Sequence, residues 1–559
     1  MRCSRFGSWV ITVCVLFTGS SAAWAKDLYV QAKNNPQSQG NGTNSKPFTS
    51  LAEVEANSEP GDAIHVLPSN FALDGGIQLK DGQSLIGVGA RVTEVPENAA
   101  HAQISNSTGG HLSGDAIRLA DNNTVENIHV IGAYRGGILG VNVASAVIEN
   151  NLITENMNQH SVQTLQTSFV IFQPQRNHYG AITLFACGTT SPNECQDEDP
   201  ATVGLAAANA VIRGNVIHDV NVEGIVILND AGVATNYSVQ DNSVDRVSMV
   251  NPGFQRTDLL PPLVPEVVRS RAFTMIVGNG AHAVLDMDHF NASHLAPPGD
   301  YASDGVVLVT FGNGAVITGD LSDITVTNPD FTGETVNGDS LELTAFGNNA
   351  VFDVRVRRAF LSDSVSTLVK LLEVGPTNGN SYFFDIADSV LSNVNPRVAV
   401  EASNAALAYI KLAAPGAVQT NTVDISVKNT KLIGHRRGLL INLLNNVNLG
   451  TLRVFAENST FANTNPNEGF RLFNQGGVIS SSAIDLGGGS LGSQGNNSFV
   501  DNAQQDLAVV NLHFAAPPLI VSAANNYWGG GAPVPGVDTL TTGPVVLTTS
   551  PFLTTDPNQ

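Results

Sequence analysis

The chain has 559 residues, with 27 Lys+Arg against 49 Asp+Glu for a formal net charge of −22, and only 14% charged residues beside 42% hydrophobic ones. That balance excludes a nucleic-acid binder, which needs a basic footprint to neutralise phosphates, and a disordered chain, which combines low hydrophobicity with dense charge. At this length a chain splits into several globular domains unless it grows along one axis as a repeat.

The N-terminus begins basic at Arg2 and Arg5, runs apolar from Trp9 to Phe17, and reaches Ala23-Trp24-Ala25 before Lys26. This is the pattern of a secretory signal peptide over 1–25, too short for a permanent membrane anchor. It predicts a protein that is secreted, periplasmic or held at the cell surface. No later run approaches the apolar length of a membrane helix, so the expectation is a soluble monomer with no integral membrane segment. Cys3 and Cys14 leave with the leader. Cys187 and Cys195 then close a short loop, and in an oxidising compartment they predict a disulfide. A metal pair is the rival reading, weakened because no second Cys or His pair stands at zinc-ligand spacing.

From residue 26 onward one unit recurs: a short β-branched run ending in Asn or Asp, followed by another apolar residue. It appears at Val125-Glu126-Asn127, Ile148-Glu149-Asn150-Asn151, Ile212-Arg213-Gly214-Asn215, Val239-Gln240-Asp241-Asn242, Ile425-Ser426-Val427-Lys428-Asn429 and Val454-Phe455-Ala456-Glu457-Asn458. Spacings of 24, 27, 29 and 29 residues separate Asn127 from Asn151, Asn215 from Asn242, Asn429 from Asn458 and Asn497 from Asn526. A second strand signal runs out of phase at Gly137-Ile138-Leu139, Gly224-Ile225-Val226, Gly305-Val306-Val307 and Gly438-Leu439-Leu440. Two or three short strands per period without a helical pattern make each period one turn of a solenoid. Its inner face is aliphatic. Corner Asn residues bond to their counterparts above and below, an Asn ladder, and tolerate the left-handed backbone of a sharp corner.

The opening stretches Lys46-Pro47-Phe48-Thr49-Ser50-Leu51, Pro60-Gly61-Asp62-Ala63-Ile64-His65-Val66 and Ile77 to Gly87, with the closing Ala524-Asn525-Asn526-Tyr527-Trp528-Gly529, resemble exported bacterial members of the pectin-lyase-like superfamily. The resemblance implies an all-β fold: a single-stranded right-handed parallel β-helix over 26–559, of roughly ten to twelve turns, capped by a short helix at Leu51 to Ala56. It implies no single activity, since lyases, hydrolases, epimerases, esterases, tailspikes and adhesins share the fold.

Three stretches exceed what a turn needs: about 154–179, with Arg176, His178 and Tyr179 as candidate substrate-binding residues; 186–208, which is acidic; and 245–272, which carries Arg256, Arg269 and Arg271. Together they predict a walled groove beside strands near 180–184, 225–228 and 274–277, because long loops on a rigid solenoid flank its binding surface. Neutral surface insertion is the competing reading. Counting back from the markers Asn291, Asn328 and Arg358 stacks Asp286, Asp323 and Asp353 on one outer face, with Asp288 and Arg355 alongside. Stacked carboxylates repel unless a cation lies between them, so these four Asp form a candidate Ca²⁺ site. In polyuronate lyases of this fold a metal neutralises the acidic sugar while a base removes its α-proton, and the resemblance makes Arg355 the candidate catalytic residue. A solvated face, with Arg355 and Arg357 paired across strands, is the alternative. His435-Arg436-Arg437 reads as a solvated corner.

Two functions remain open: a carbohydrate-active protein, lyase-like if an enzyme, on an extracellular or envelope polysaccharide; and a non-catalytic, adhesin-like rod.

Overall fold

A computed structural model describes residues 25–33, 40–155, 179–188, 209–221, 223–248, 270–278, 280–294, 303–327, 338–364, 366–374, 377–393, 405–412, 420–444, 447–514 and 517–559. Residues 1–24 of the expected leader, Arg176, His178, Cys195 and most of the three long stretches lie outside the described residues.

Short strands with alternating burial dominate the chain. In His282–Asp288, Ala283, Leu285 and Met287 are buried while Asp286 is exposed, and Val351–Arg357 repeats the pattern with Phe352, Val354 and Val356 inside. Alternation of this kind gives each strand one apolar face, which the chain covers by winding. Successive coils pair in parallel and build three sheets. Among the described residues sheet 1 has sixteen strands, from Asp27–Val30 to Val545–Thr548; sheet 2 has twelve, from Gln103–Ile104 to Ser498–Val500; sheet 3 has fourteen, from Ile77–Gln78 to Thr539–Thr542. The chain is a parallel β-helix. One buried aliphatic core runs from Leu28 to Trp528, each buried Val, Leu, Ile or Phe contributing about 1.5–3 kcal/mol. Near the C-terminal end Phe461, Phe499 and Trp528 stack on successive coils, with centroids 4.8 and 4.7 Å apart.

The expected cap is the helix Leu51–Asn57, which buries Leu51 and Val54 over the first coil. Ser50 Oγ accepts the Glu53 N–H, and Glu53 reaches back to accept the Thr49 N–H at 2.7 Å. This reciprocal arrangement satisfies helix-start donors that would otherwise lack partners.

The Asn ladder is present. Asn151 donates its backbone N–H and its Nδ2 to Asn215 Oδ1, both at 3.0 Å, and Asn215 donates in the same way to Asn242 Oδ1 at 3.1 and 2.9 Å. All three are fully buried. The corner divides its tasks between two residues, however. The left-handed position is the residue before the ladder: Asn150, Asp241, His289, Asp323, Arg358, Asp388, Asn429 and Asn458, with φ of 48–57°. Behind His289, Asp323 and Arg358 the ladder position holds Phe290, Ile324 and Ala359, all buried, so the polar ladder is interrupted in the middle coils.

Candidate functional site

That interruption displaces the expected carboxylate stack. Asp286 lies opposite Asp320, which lies opposite Arg355, followed by Asp385. Asp353 lies between Thr318 and Phe383 in the neighbouring column, and Asp323 is a corner residue rather than a strand residue. Of the four predicted ligands the fold brings together Asp288 and Asp323, with His289 between them, their ligand atoms within 4.8 Å of one another. Asp288 holds His289 Nδ1 at 2.8 Å and accepts from Ser322, while Arg358 donates Nε to Asp323 at 2.8 Å. These partners hold both carboxyls below the ordinary range, through the Ser322 hydroxyl for Asp288 and the Arg358 guanidinium for Asp323. Arg355 is exposed and 3.9 Å from Asp320, and Arg357 meets Asp385 at 2.6 Å. On the outer face of sheet 1 Arg355 and Arg357 therefore lie among carboxylates rather than beside a four-carboxylate stack.

The face of sheet 3 expected to carry the groove is apolar and buried. The three strands are adjacent, as predicted, but their outward residues Phe185, Val226, Leu228 and Ile276 form a second buried apolar cluster with Tyr179. Tyr179 is 2% exposed and carries the Arg135 guanidinium 4.2 Å above its ring, so it is a packing residue. Cys187, directly after the strand Ile182–Ala186, is disulfide-bonded.

Among the described residues the corner leading from sheet 2 towards sheet 3 gathers a row of solvent-facing acid–base groups that the sequence reading passed over. Thr154, His218, Asp245 and Ser293 are cross-strand neighbours on the outer face of sheet 2. The residues that follow them, Glu155, Asp219, Arg246 and His294, all take the left-handed conformation at φ 48–57°, which turns their side chains away from the strand register. His218 lies between two carboxylates, Nδ1 at 2.7 Å from Asp219 and Nε2 at 2.9 Å from Glu97. Arg246 grips Asp219 with Nε and Nη2, both at 2.7 Å, and also meets Asp245. Asp245 Oδ1 fixes His294 Nδ1 at 2.7 Å and accepts from Ser293 Oγ at 2.8 Å. His294 is 42% exposed and Arg246 51%, so solvent reaches the cluster. Asp219 titrates at about 2, drawn down chiefly by Arg246, whose own pKa is raised by that carboxylate. Behind them His129 is buried, 2.9 Å from Thr154 Oγ1, and burial lowers it to about 4. The signal was available: Glu155, Asp219, Arg246 and His294 each stand four places after Asn151, Asn215, Asn242 and Phe290.

Other charge clusters are architectural. Asp304, Asp339 and Glu342 lie within 4.8 Å of one another and are buried. Yet Asp304 accepts the Asp339 N–H at 3.1 Å and Asp339 the Thr367 N–H at 3.0 Å, as Asp115 accepts that of Gly136. Each carboxylate thus satisfies the corner N–H of the next coil. Arg271, Lys370 and Arg135 lie against them at 3.4, 3.0 and 2.8 Å. His435 and Arg437 are likewise buried rather than solvated, and Arg437 donates to Glu468 at 3.0 Å.

The family described as "Protein of unknown function (DUF1565)" matches residues 416–533. No curated protein matches. A solved structure described as "The complex structure of XylC with xylose" aligns at a TM-score of 0.36 and 11% identity, over 83% of this chain and 88% of that one. Among the described residues no helix is long and apolar enough to cross a membrane.

Proposed function

We propose that this is an exported β-helix protein that binds an extracellular or envelope polysaccharide and acts on it by acid–base chemistry at the sheet 2 corner. The observation that supports this reading is the solvent-facing pairing of His294 with Asp245 beside Arg246. A carboxylate on Nδ1 orients the ring and makes Nε2 the basic atom. A guanidinium beside it offers fixed positive charge where an acidic sugar would build up negative charge. In a β-elimination, His294 takes the proton α to a uronate carboxylate, the C–O bond to the next sugar breaks, a C=C bond forms, and the departing oxygen gains a proton. Asp219, Asp245 and Glu97 outnumber the Arg246 cation, so a polyuronate would need Ca²⁺ accompanying its carboxylates. Incubation with a polyuronate panel in Ca²⁺ should yield the ultraviolet absorbance of an unsaturated sugar, abolished in His294→Gln and retained in Arg355→Ala. Silence across the panel would reject the lyase chemistry. The column Ser293, Thr327, Ser362 and Ser392 on the same sheet, in which all but Ser362 are partly exposed, supports non-catalytic glycan display as the second reading.

A further inference from the structure

We infer that the first coils carry a separate cleft for an uncharged sugar residue. At the sheet 3 face of these coils lies a half-open cavity of about 350 Å³, towards the small end of the range for ligand pockets. Its floor and walls come from one cross-strand column, Gln78, Arg118 and Leu139, with Val141 beside it. Asp81 and Asp121 form the rim: Asp81 Oδ1 accepts the Asp121 N–H at 3.3 Å and Asp121 Oδ1 that of Ala144 at 2.6 Å. These bonds fix both carboxylates in place.

The chemistry selects the ligand class. Leu139 and Val141 offer an apolar surface that fits the C–H face of a sugar ring, while carboxylate and amide groups beside them accept and donate to vicinal hydroxyls. Among the described residues the one cation in the lining is Arg118, which donates Nε to the buried Asp115 at 2.9 Å and Nη2 to Leu112 O at 3.0 Å. Asp115 is shared with Arg135, so the two guanidiniums leave one positive charge over that carboxylate, while the rim adds two carboxylates and keeps the cleft net negative. An anionic sugar is therefore disfavoured and a hydroxyl-rich neutral residue favoured. Such a cleft would hold a neutral part of the same polymer that the sheet 2 corner acts on. It rests on the glycan reading for its ligand class but is read by binding rather than by product formation.

The test is calorimetric titration of the full-length protein with neutral pento- and hexo-oligosaccharides, uronate oligomers and an amino sugar. A neutral oligosaccharide should bind saturably, and Val141→Trp, which fills the cleft, should weaken it about tenfold or more. Asp81→Asn changes only the exposed rim and guards against misfolding of the first variant; it should weaken binding several-fold. Neutral-sugar binding kept in His294→Gln and lost in both cleft variants supports the cleft. Binding unaffected by either cleft variant, binding confined to uronates or amines, or no binding of any neutral sugar overturns it. The elimination assay is separate, so absent product with intact cleft binding counts against the corner chemistry alone.

Discussion

Asp506 illustrates how one buried side chain sets a pH dependence. Burial raises its pKa to about 6, against a lowering hydrogen bond from Asn502 at 2.6 Å. The folded state therefore retains a proton that the unfolded chain releases near its ordinary 3.8, and stability falls as pH rises between those values. Asp506→Asn should raise the melting temperature at pH 8 by removing a penalty on the order of 2–3 kcal/mol, and should change little at pH 4. An equal shift at both pH values would show that packing, not ionisation, is responsible. The pair Asp288 and Asp323 makes the opposite case, since Arg358 already supplies their counter-charge. Melting curves in millimolar Ca²⁺ and in chelator should coincide for the wild type, whereas Arg358→Ala should gain a Ca²⁺-dependent rise through linkage. A rise already present in the wild type would restore the four-carboxylate expectation at least at these two positions.

The coil corner decides how much the sequence could reveal. Where Asn fills the ladder, as at Asn151, Asn215 and Asn242, spelling and structure agree, and the fold follows from the spacing. In the middle coils Phe290, Ile324 and Ala359 take over the ladder position, because an apolar residue there joins the core. The nearest visible Asn is then a different residue: Asn291 begins the next strand, and Asn328 comes after Thr325–Thr327 in the sequence, outside the described residues. Counting from these markers slips the register, and a slipped register reassigns every side chain. For the same reason the corner row Glu155, Asp219, Arg246 and His294 stayed hidden, since it aligns only when Phe290 is recognised as a ladder residue. The ladder also yields a direct test. Asn215→Ala removes the acceptor for both Asn151 donors and the Nδ2 donor to Ile148 O, leaving buried groups unpaired at a cost on the order of 3 kcal/mol. Ser389→Ala, which removes the acceptor of the Ala359 N–H at 3.0 Å and the local Oγ donation to Ala387 O at 2.7 Å but strands no side-chain amide, should cost about 1–2 kcal/mol. Chemical denaturation that ranked the two equally would argue against ladder hydrogen bonding as the source.

At the scale of the whole molecule, a solenoid transmits stability only between neighbouring coils, so a local penalty is felt locally before it is felt globally. Two such penalties sit far apart along the axis. His129, in the strand His129–Ile131, and His435, just after Lys431–Ile433, are both buried, and burial lowers each to about 4. Above pH 6.5 each ring is neutral whether the chain is folded or not, and neither contributes. As pH falls from 6.5 towards 4 the unfolded chain takes up protons that the folded rings refuse, and stability declines until the folded pKa is passed. Each ring accounts for a loss on the order of 3 kcal/mol over that window. The Asp219 pairing, with its pKa at about 2, fails only below the window, so the two effects separate on the pH axis. Hydrogen exchange at pH 5 should therefore show protection falling first in the coils around His129 and His435, while the coils between them, closed by the buried Lys370–Asp339 and Lys411–Glu373 pairs, hold. The double variant His129→Asn/His435→Asn should flatten the decline between pH 6.5 and 4. If the decline survives in that variant, or if protection is lost uniformly along the rod, acid sensitivity arises from the surface carboxylates instead of the buried imidazoles.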